Sequence, residues 1–311
     1  MEYSKSEKLF GIREMVNIAL IHEAPIPTWS CRQLILSFKN LGARVSYLRI
    51  QKISIEISRN NGIRIHYGLK EVETPDAQVV RSLGFALSIE QFFRRIQALK
   101  IISDLGVFTI NPIESMIIAR DKFYSLFKLK ENNIPIPSTI VTEDVLLAME
   151  KVKEWKEAVL KPLMGSLGYG SIKTNEADIA YNIGKAFLSI NQPLYIQEYI
   201  RKPQRDIRVF VVGDKVLGSV YRISYTSWKT NVAQGAKVVK APKIPEVEEY
   251  ALKAAKALNL YYAGVDIAET PENGYVVFEV NAAPLWRGFQ KATGINPAYE
   301  IAKFVIEHIR R

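Results

Sequence analysis

Residues 275–284 read YVVFEVNAAP, and residues 264–269, a short way upstream, read GVDIAE. In a β-strand successive side chains alternate between faces, so Glu279 and Asn281 share one face of a strand whose other face carries Phe278 and Val280. Asp266 stands between Val265 and Ile267 in the second apolar run. A lone carboxylate there is costly to desolvate unless a positive charge neutralises it. Two carboxylates and an amide oxygen are hard donors, suited to Mg²⁺ or Mn²⁺ rather than zinc. The same spacing is met if Glu279 and Asp266 lie at strand ends and face water, and the residues alone leave both readings open.

Working outward, residues 206–222, DIRVFVVGDKVLGSVYR, predict a hairpin turning at Gly213-Asp214. Ile207, Val209 and Val211 fall on one face of its first strand and Asp206, Arg208 and Phe210 on the other. Pro245 opens a helix with Glu246, Glu248 and Glu249 in its first turn and Lys253 and Lys256 further on, as the helix dipole favours. Its apolar stripe is Val247, Tyr250, Ala251, Ala254 and Leu258. Further upstream, Val159-Leu160-Lys161-Pro162 reads as a strand leading into the glycine-rich run 165–171, GSLGYGS. This is not a P-loop, because Ser171-Ile172 stands where Lys and Ser/Thr are required. Glycines do let backbone N–H groups approach phosphate oxygens closely. A surface hairpin is the plain alternative, and the cation Lys161 beside the run favours phosphate. A helix around Asn182 to Ile190 and a strand from Leu194 to Ile200 follow.

Towards the N-terminus, Ser115 is expected to cap one helix with Ala119, Phe123, Leu126 and Phe127 on its apolar face and Asp121-Lys122 at the margin. Before it, Val16 to Ile21 and Arg44 to Ile50 read as strands around a helix closed by Gly42. The first of these loops carries no GxGxxG, so no dinucleotide is assigned. Ile53 to Tyr67 reads as a hairpin around Asn61-Gly62. Val79 to Gly84, a helical stretch through Lys100 and Val107 to Ile110 complete a first domain that ends at Asn111-Pro112. The expected division is a polar tail 1–14, an N-terminal α/β domain 15–112, a central lobe 113–196 and a C-terminal lobe 197–311.

The 311 residues are 48% hydrophobic and 24% charged, with a formal net charge of +10, one cysteine and three histidines. One cysteine excludes a disulfide framework and suits a reducing compartment. Three scattered histidines disfavour a histidine metal site or a Ser/His/Asp triad. No apolar run approaches a membrane span, so a cytoplasmic protein is expected. The positive charge fits small polyanions such as nucleotides, and no RNP-type motif or long basic stripe points to nucleic acid.

Taken together, ARDKFYSLFKL (119–129), VLKPLMGSLGYGS (159–171), IQEYIRKPQRDIRVFVVG (196–213), SWKTNVAQGA (227–236), GVDIAE, FEVNAAP and RGFQKATGIN (287–296) resemble, in content and order, the RimK-like branch of the ATP-grasp glutamate ligases. The resemblance implies an α/β (α+β) ATP-grasp fold, with ATP between two lobes behind a Rossmann-like N-terminal domain. It implies that Lys122 and Lys161 contact ATP phosphates, and that Gly165, Ser166, Gly168 and Gly170 belong to a mobile loop over them. Gln197, Glu198, Tyr199 and Ile200 match the adenine and ribose linker, and Asp206 a nearby polar contact. Arg208 and Arg222 match basic cleft positions. Lys229, Thr230 and Asn231 match a segment that is commonly Arg-Ser-Asn in this branch, and lysine lacks the bidentate geometry of arginine. Asp266, Glu279 and Asn281 match ligands of two Mg²⁺ or Mn²⁺ ions.

The implied chemistry is phosphorylation of a carboxylate by ATP, followed by attack of an amine on the acyl phosphate. The lid excludes water, and Arg222 with Arg208 stabilises the oxyanion. The implied partners are L-glutamate and an anionic, pterin-type coenzyme acceptor, in a dimer or tetramer. Trp286 and Arg287 either help to bind that acceptor or fill the core and face solvent. Other acceptors of the branch are a deazaflavin coenzyme, a ribosomal-protein C-terminus and an amino-group carrier protein. The carrier ligases usually have Trp where this chain has Leu167. From a different class, a non-catalytic nucleotide- or RNA-binding protein would have no need to keep Lys122, Lys161 and the three candidate metal ligands.

Overall fold

The structure, a computed structural model, describes residues 15–85, 87–163, 170–225, 227–230, 235–270 and 274–310. The chain enters through β1 (Asn17–His22), α1 (Trp29–Asn40) and β2 (Arg44–Arg49). Thr28 caps α1 through the Cys31 amide, and Gly42, with φ +78°, stands just past its end. β3 (Ile53–Ser58), β4 (Gly62–Tyr67) and β5 (Lys70–Val72) form a small antiparallel sheet, which adds a third strand to the expected hairpin. Then β6 (Ala77–Val80), α2 (Ile89–Asp104) and β7 (Phe108–Ile110) complete a parallel sheet of order β2-β1-β6-β7.

The single helix expected around Lys122 is two helices, α3 (Ile113–Arg120) and α4 (Lys122–Glu131). The break is at Asp121, whose extended backbone lets its side chain accept from the Phe123 and Tyr124 amides, a strong N-cap. Ser115 is not a cap: its hydroxyl donates to the Asn259 carbonyl at 2.9 Å. Ala119 and Leu126 are buried, whereas Phe123 and Phe127 are exposed.

β8 (Thr139–Thr142), α5 (Val145–Trp155), β9 (Ala158–Pro162), β10 (Ile172–Thr174), α6 (Ala177–Leu188) and β11 (Leu194–Glu198) build the middle of the chain. Their antiparallel sheet has the order β10-β9-β11-β8. Val145, Ala148 and Val152 of α5 and Ala180 of α6 pack against Leu160, Leu194 and Ile196.

β12 (Arg205–Val212), β13 (Lys215–Ile223), β14 (Lys237–Lys240), α7 (Pro245–Ala257), β15 (Tyr262–Thr270) and β16 (Gly274–Asn281) follow. The antiparallel order is β14-β13-β12-β15-β16, with the hairpin turning at Gly213 as the alternation predicts. Ile207, Val209, Val211, Val265 and Ile267 bury one face together with Val247, Ala251, Ala254 and Leu258 of the α7 segment. Each of the valine, isoleucine and leucine side chains stabilises the fold by about 1.5–3 kcal/mol. This packing leaves the opposite face for charge.

After α8 (Arg287–Thr293), α9 (Pro297–Ile309) returns to the start of the chain, where Ile301, Ala302 and Val305 share a core with Ile18, Leu20, Leu34 and Phe38. Asn111 is more than the punctuation its sequence suggests. Fully buried, it donates to the Tyr262 and Ala282 carbonyls at 2.8 and 2.7 Å and accepts from the Tyr261 and Tyr262 amides. It thereby ties the end of the first sheet to β15 and to the residue after β16. No helix among the described residues is long and apolar enough to cross a membrane.

Candidate active site

Strand register assembles the charged face. Asp206 lies opposite Arg222, Arg208 opposite Asp266, and Asp266 opposite Glu279, so one line of charge crosses β13, β12, β15 and β16. Asn281, two residues beyond Glu279, is paired with Gly264. Arg208 grips Asp266 in bidentate fashion, through Nε and, at 2.8 Å, Nη2. Arg222 donates to both Asp206 oxygens at 2.6 and 2.7 Å and reaches Asp266 at 3.1 Å. Burial alone would raise the Asp266 carboxyl, but Arg208 and then Arg222 outweigh it and hold it below the ordinary carboxylate range. Burial opposes the charge of Arg222 as well, and Asp266 and Asp206 overcome it, raising the guanidinium above its usual value. The positive charge that Asp266 requires is therefore supplied by the protein. Gly264 makes room for the grip, since a Cβ there would come within 2.8 Å of Arg208 Nη1 and 2.7 Å of Pro284.

The lysines approach from the middle sheet and α4. Lys161, on β9, donates to Gln197 Oε1 at 2.8 Å and lies over the Tyr195 ring. Gln197 is in turn fixed by Thr139 and the Tyr195 hydroxyl. Burial pushes the Lys161 ammonium down to about 8, with Glu279 opposing and Lys122 reinforcing the shift. Lys122, at the start of α4, reaches the Leu163 carbonyl at 3.4 Å, and burial lowers it too against the pull of Glu279. Lys122, Lys161 and Glu279 thus form one electrostatic group.

The remaining candidates are more dispersed. Glu198 accepts from the Ser138 amide, Tyr199 meets Trp228 edge-on, and Ile200 is half-buried. Thr230 donates to Asp206, while Lys229 Nζ lies over the Trp228 ring at 5.4 Å. Gly170 has φ +75°, and a Cβ there would lie 3.3 Å from the Pro162 ring. Gly165, Ser166, Gly168, Leu167 and Asn231 lie outside the described residues.

For a divalent cation the donors fit. Asn281 Nδ2 faces the Gly264 carbonyl at 3.5 Å, which leaves the amide oxygen for a cation. Glu279 and Asn281 both line a cleft of about 250 Å³. Among the described residues no cluster of three or more His, Cys, Asp or Glu side chains competes as a metal site. The carboxylate of Glu279 and the amide oxygen of Asn281 are hard donors suited to Mg²⁺, whereas both oxygens of Asp266 are engaged by arginine.

The same cleft is walled by Arg81, Ser82, Phe85 and Arg120, none singled out by sequence patterning. A polar pair following the apolar run of β6 was the available signal, since ligands gather at strand C-termini in open parallel sheets. Lys202, beside Thr230 and the Arg205 carbonyl, was likewise missed. Trp286 is fully buried, edge-on to Phe210 and under the Arg81 guanidinium, so it fills the core. Arg287 is exposed, with its guanidinium over Trp29.

A charged sheet face that meets one lysine from a second sheet, Lys161, and one from a helix, Lys122, is the arrangement expected of an ATP-grasp protein. Residues 119–305 match the RimK-like ATP-grasp domain. The tetrahydromethanopterin:alpha-L-glutamate ligase of Methanocaldococcus jannaschii is 36% identical over 272 residues, 86% of this chain and 91% of that one. The alpha-aminoadipate–LysW ligase LysX of Saccharolobus solfataricus is 32% identical over 67% of this chain and 76% of its own. Among solved structures, the ATP-grasp ligase PsnB in complex with a minimal precursor superposes with a TM-score of 0.73 at 19% identity, covering 95% of this chain and 99% of that chain. The chain belongs to the RimK-like ATP-grasp family. It is an ATP-dependent, C–N bond-forming ligase, of a class that works with ATP and Mg²⁺.

Proposed function

We propose that the enzyme joins the α-amine of L-glutamate to a carboxylate of a small anionic coenzyme of the tetrahydromethanopterin type, releasing ADP and phosphate. The observation that carries this reading is the cleft that Lys122 shares with Glu279 and Asn281, beside Glu279's strand partner Asp266. Its likeness to the tetrahydromethanopterin ligases, over 86% of the chain in the M. jannaschii case, supports the substrate pair.

In this reading Lys122 and Lys161 hold the phosphate chain and 165–170 closes over it. Gln197 orients Lys161, while Glu198, Tyr199 and Ile200 line the adenine and ribose. Glu279 and Asn281 would hold two Mg²⁺ ions, with Asp266 joining them where its arginines release an oxygen, and the bound ions would neutralise phosphate charge. Arg208, Arg222 and Asn231 stabilise the acyl phosphate and then the oxyanion formed when the amine attacks, and Lys229 and Thr230 serve the nucleotide. Asp206 keeps Arg222 in place. Residues 15–112 act as the pre-ATP-grasp domain, with lobes 113–196 and 197–311 around the nucleotide. The reading also carries a cytoplasmic location and a dimer or tetramer, which light scattering tests.

The functional test is incubation with Mg-ATP, isotopically labelled L-glutamate and cell extract, followed by mass spectrometry of the small-molecule and protein fractions. Label in a pterin-sized product is expected. Label confined to a protein would replace the coenzyme with a protein acceptor and leave the chemistry standing.

A further inference from the structure

The first sheet has a switch point between β1 and β6: the chain leaves β1 towards β2 on one side and leaves β6 towards β7 on the other. Ligands of open parallel sheets bind in the crevice outside the strand C-termini at such a point. Here the two loops meet there, with the Ser82 hydroxyl donating to Glu23 Oε1 at 3.1 Å. The cleft of about 250 Å³ runs from this point to Glu279 and Asn281, past Arg81, Arg120 and Lys122.

Two arginines that line the cleft each carry a buried N–H group without a partner. Arg81 is 6% exposed and donates to the Tyr262 hydroxyl and the Ala283 and Pro284 carbonyls, yet its Nε has no acceptor. Arg120 donates through Nη2 to the Gly84 and Phe85 carbonyls, and its Nε too is buried without an acceptor. Among the described residues, no hydrogen bond of either guanidinium goes to a carboxylate. The 82–85 loop is fastened beside them by hydrogen bonds. Arg95 donates to the Leu83 carbonyl at 2.7 Å, an approach that Gly84 alone permits, since a Cβ there would lie 2.1 Å from Arg95 Nη1. Phe85, 67% exposed, stands at the mouth.

Building on the ligase reading above, we infer that this cleft holds the acid substrate: its carboxylate sits between Arg120 and Lys122 next to Glu279, and its body leaves past Phe85. Buried N–H donors without acceptors, flanked by cations and beside a candidate metal ligand, fit a carboxylate awaiting the γ-phosphoryl group. The volume suits a carboxyl-bearing arm rather than a whole coenzyme. L-Glutamate then attacks from elsewhere.

Hydroxylamine in place of L-glutamate isolates the acid site. ATP phosphorylates the carboxylate and ADP leaves; hydroxylamine nitrogen bonds to the acyl carbon, phosphate departs, and a hydroxamate results. In Arg120→Gln the KM for the acid should rise roughly 10- to 100-fold, the loss of one charged hydrogen bond, with the KM values for ATP and L-glutamate within about two-fold. A rise confined to the KM for L-glutamate, or no change in any KM, overturns the assignment. If that variant does not fold, Phe85→Cys blocked with a bulky maleimide gives the same readout, because the natural cysteine, Cys31, is buried. Failure of the wild type to make a hydroxamate from the reduced pterin sinks that substrate alone. The Arg120 comparison is then made with whichever acid the labelled-extract experiment identifies.

Discussion

Asp266 and Glu279 stand directly opposite each other on adjacent antiparallel strands, one clamped by two arginines and the other lining the cleft. The two carboxylates therefore have different work. Glu279→Ala should lower turnover by ~100-fold or more, the scale of losing one electrostatic stabiliser of a phosphoryl transfer, while nucleotide binding and thermal stability hold. Unchanged ADP formation in that variant would remove Glu279 from the mechanism.

Asp206 balances Arg222 in a buried network that also includes Thr230. Removing one member of a buried pair strands the other charge at a cost of about 3–5 kcal/mol. Asp206→Ala should lose that much in urea denaturation. A loss below about 1 kcal/mol would mean that Asp266 alone suffices for Arg222.

Lys161 is charged below about 8, and burial is the main cause of its departure from the ordinary 10.5. If its charge holds phosphate, the KM for ATP should climb as pH rises from 7 to 9. In Lys161→Arg that rise should vanish, because guanidinium does not titrate there. The depressed value has a second consequence. Between about 8 and 10.5 the unfolded chain keeps a proton at this lysine that the native chain has released, so this residue's contribution to stability increases with pH across that window. A flat KM profile in the wild type would exclude Lys161 from nucleotide binding.

Asn111 satisfies four backbone groups of the five-stranded sheet and its flanks. Asn111→Ala should cost about 2–4 kcal/mol, since several buried polar groups lose their partner together. Hydrogen exchange should show faster exchange at the Tyr261 and Tyr262 amides. A variant as stable as the wild type would show that water replaces the side chain.

Much of the chain was legible from periodicity. The alternation of 206–211 fixes which side chains share a face, because a strand admits only two, whereas in 275–281 a register shift opposite Asp266 and Ile267 interrupts it and puts Val277 and Val280 in the same core. Pro245 and its acidic first turn mark the start of α7, and Gly62 marks the hairpin, through local backbone preferences. The helix break at Asp121 was misread because an apolar stripe continues through it. There a local cap overrides periodicity.

Tertiary structure alone decided the partners. The sequence shows Asp266 in an apolar setting in need of a positive charge, and only strand register shows that Arg208 and Arg222 supply it. Trp286 has the same aromatic character whether it stacks on a ligand or fills a core, and the packing of Phe210 and Arg81 around it makes it core. The cleft brings Arg81 and Arg120, far apart from them in the chain, beside Glu279 and Asn281. Local sequence sets the face on which a side chain lies; which distant face it meets depends on how the sheets pack, and that is a property of the whole chain.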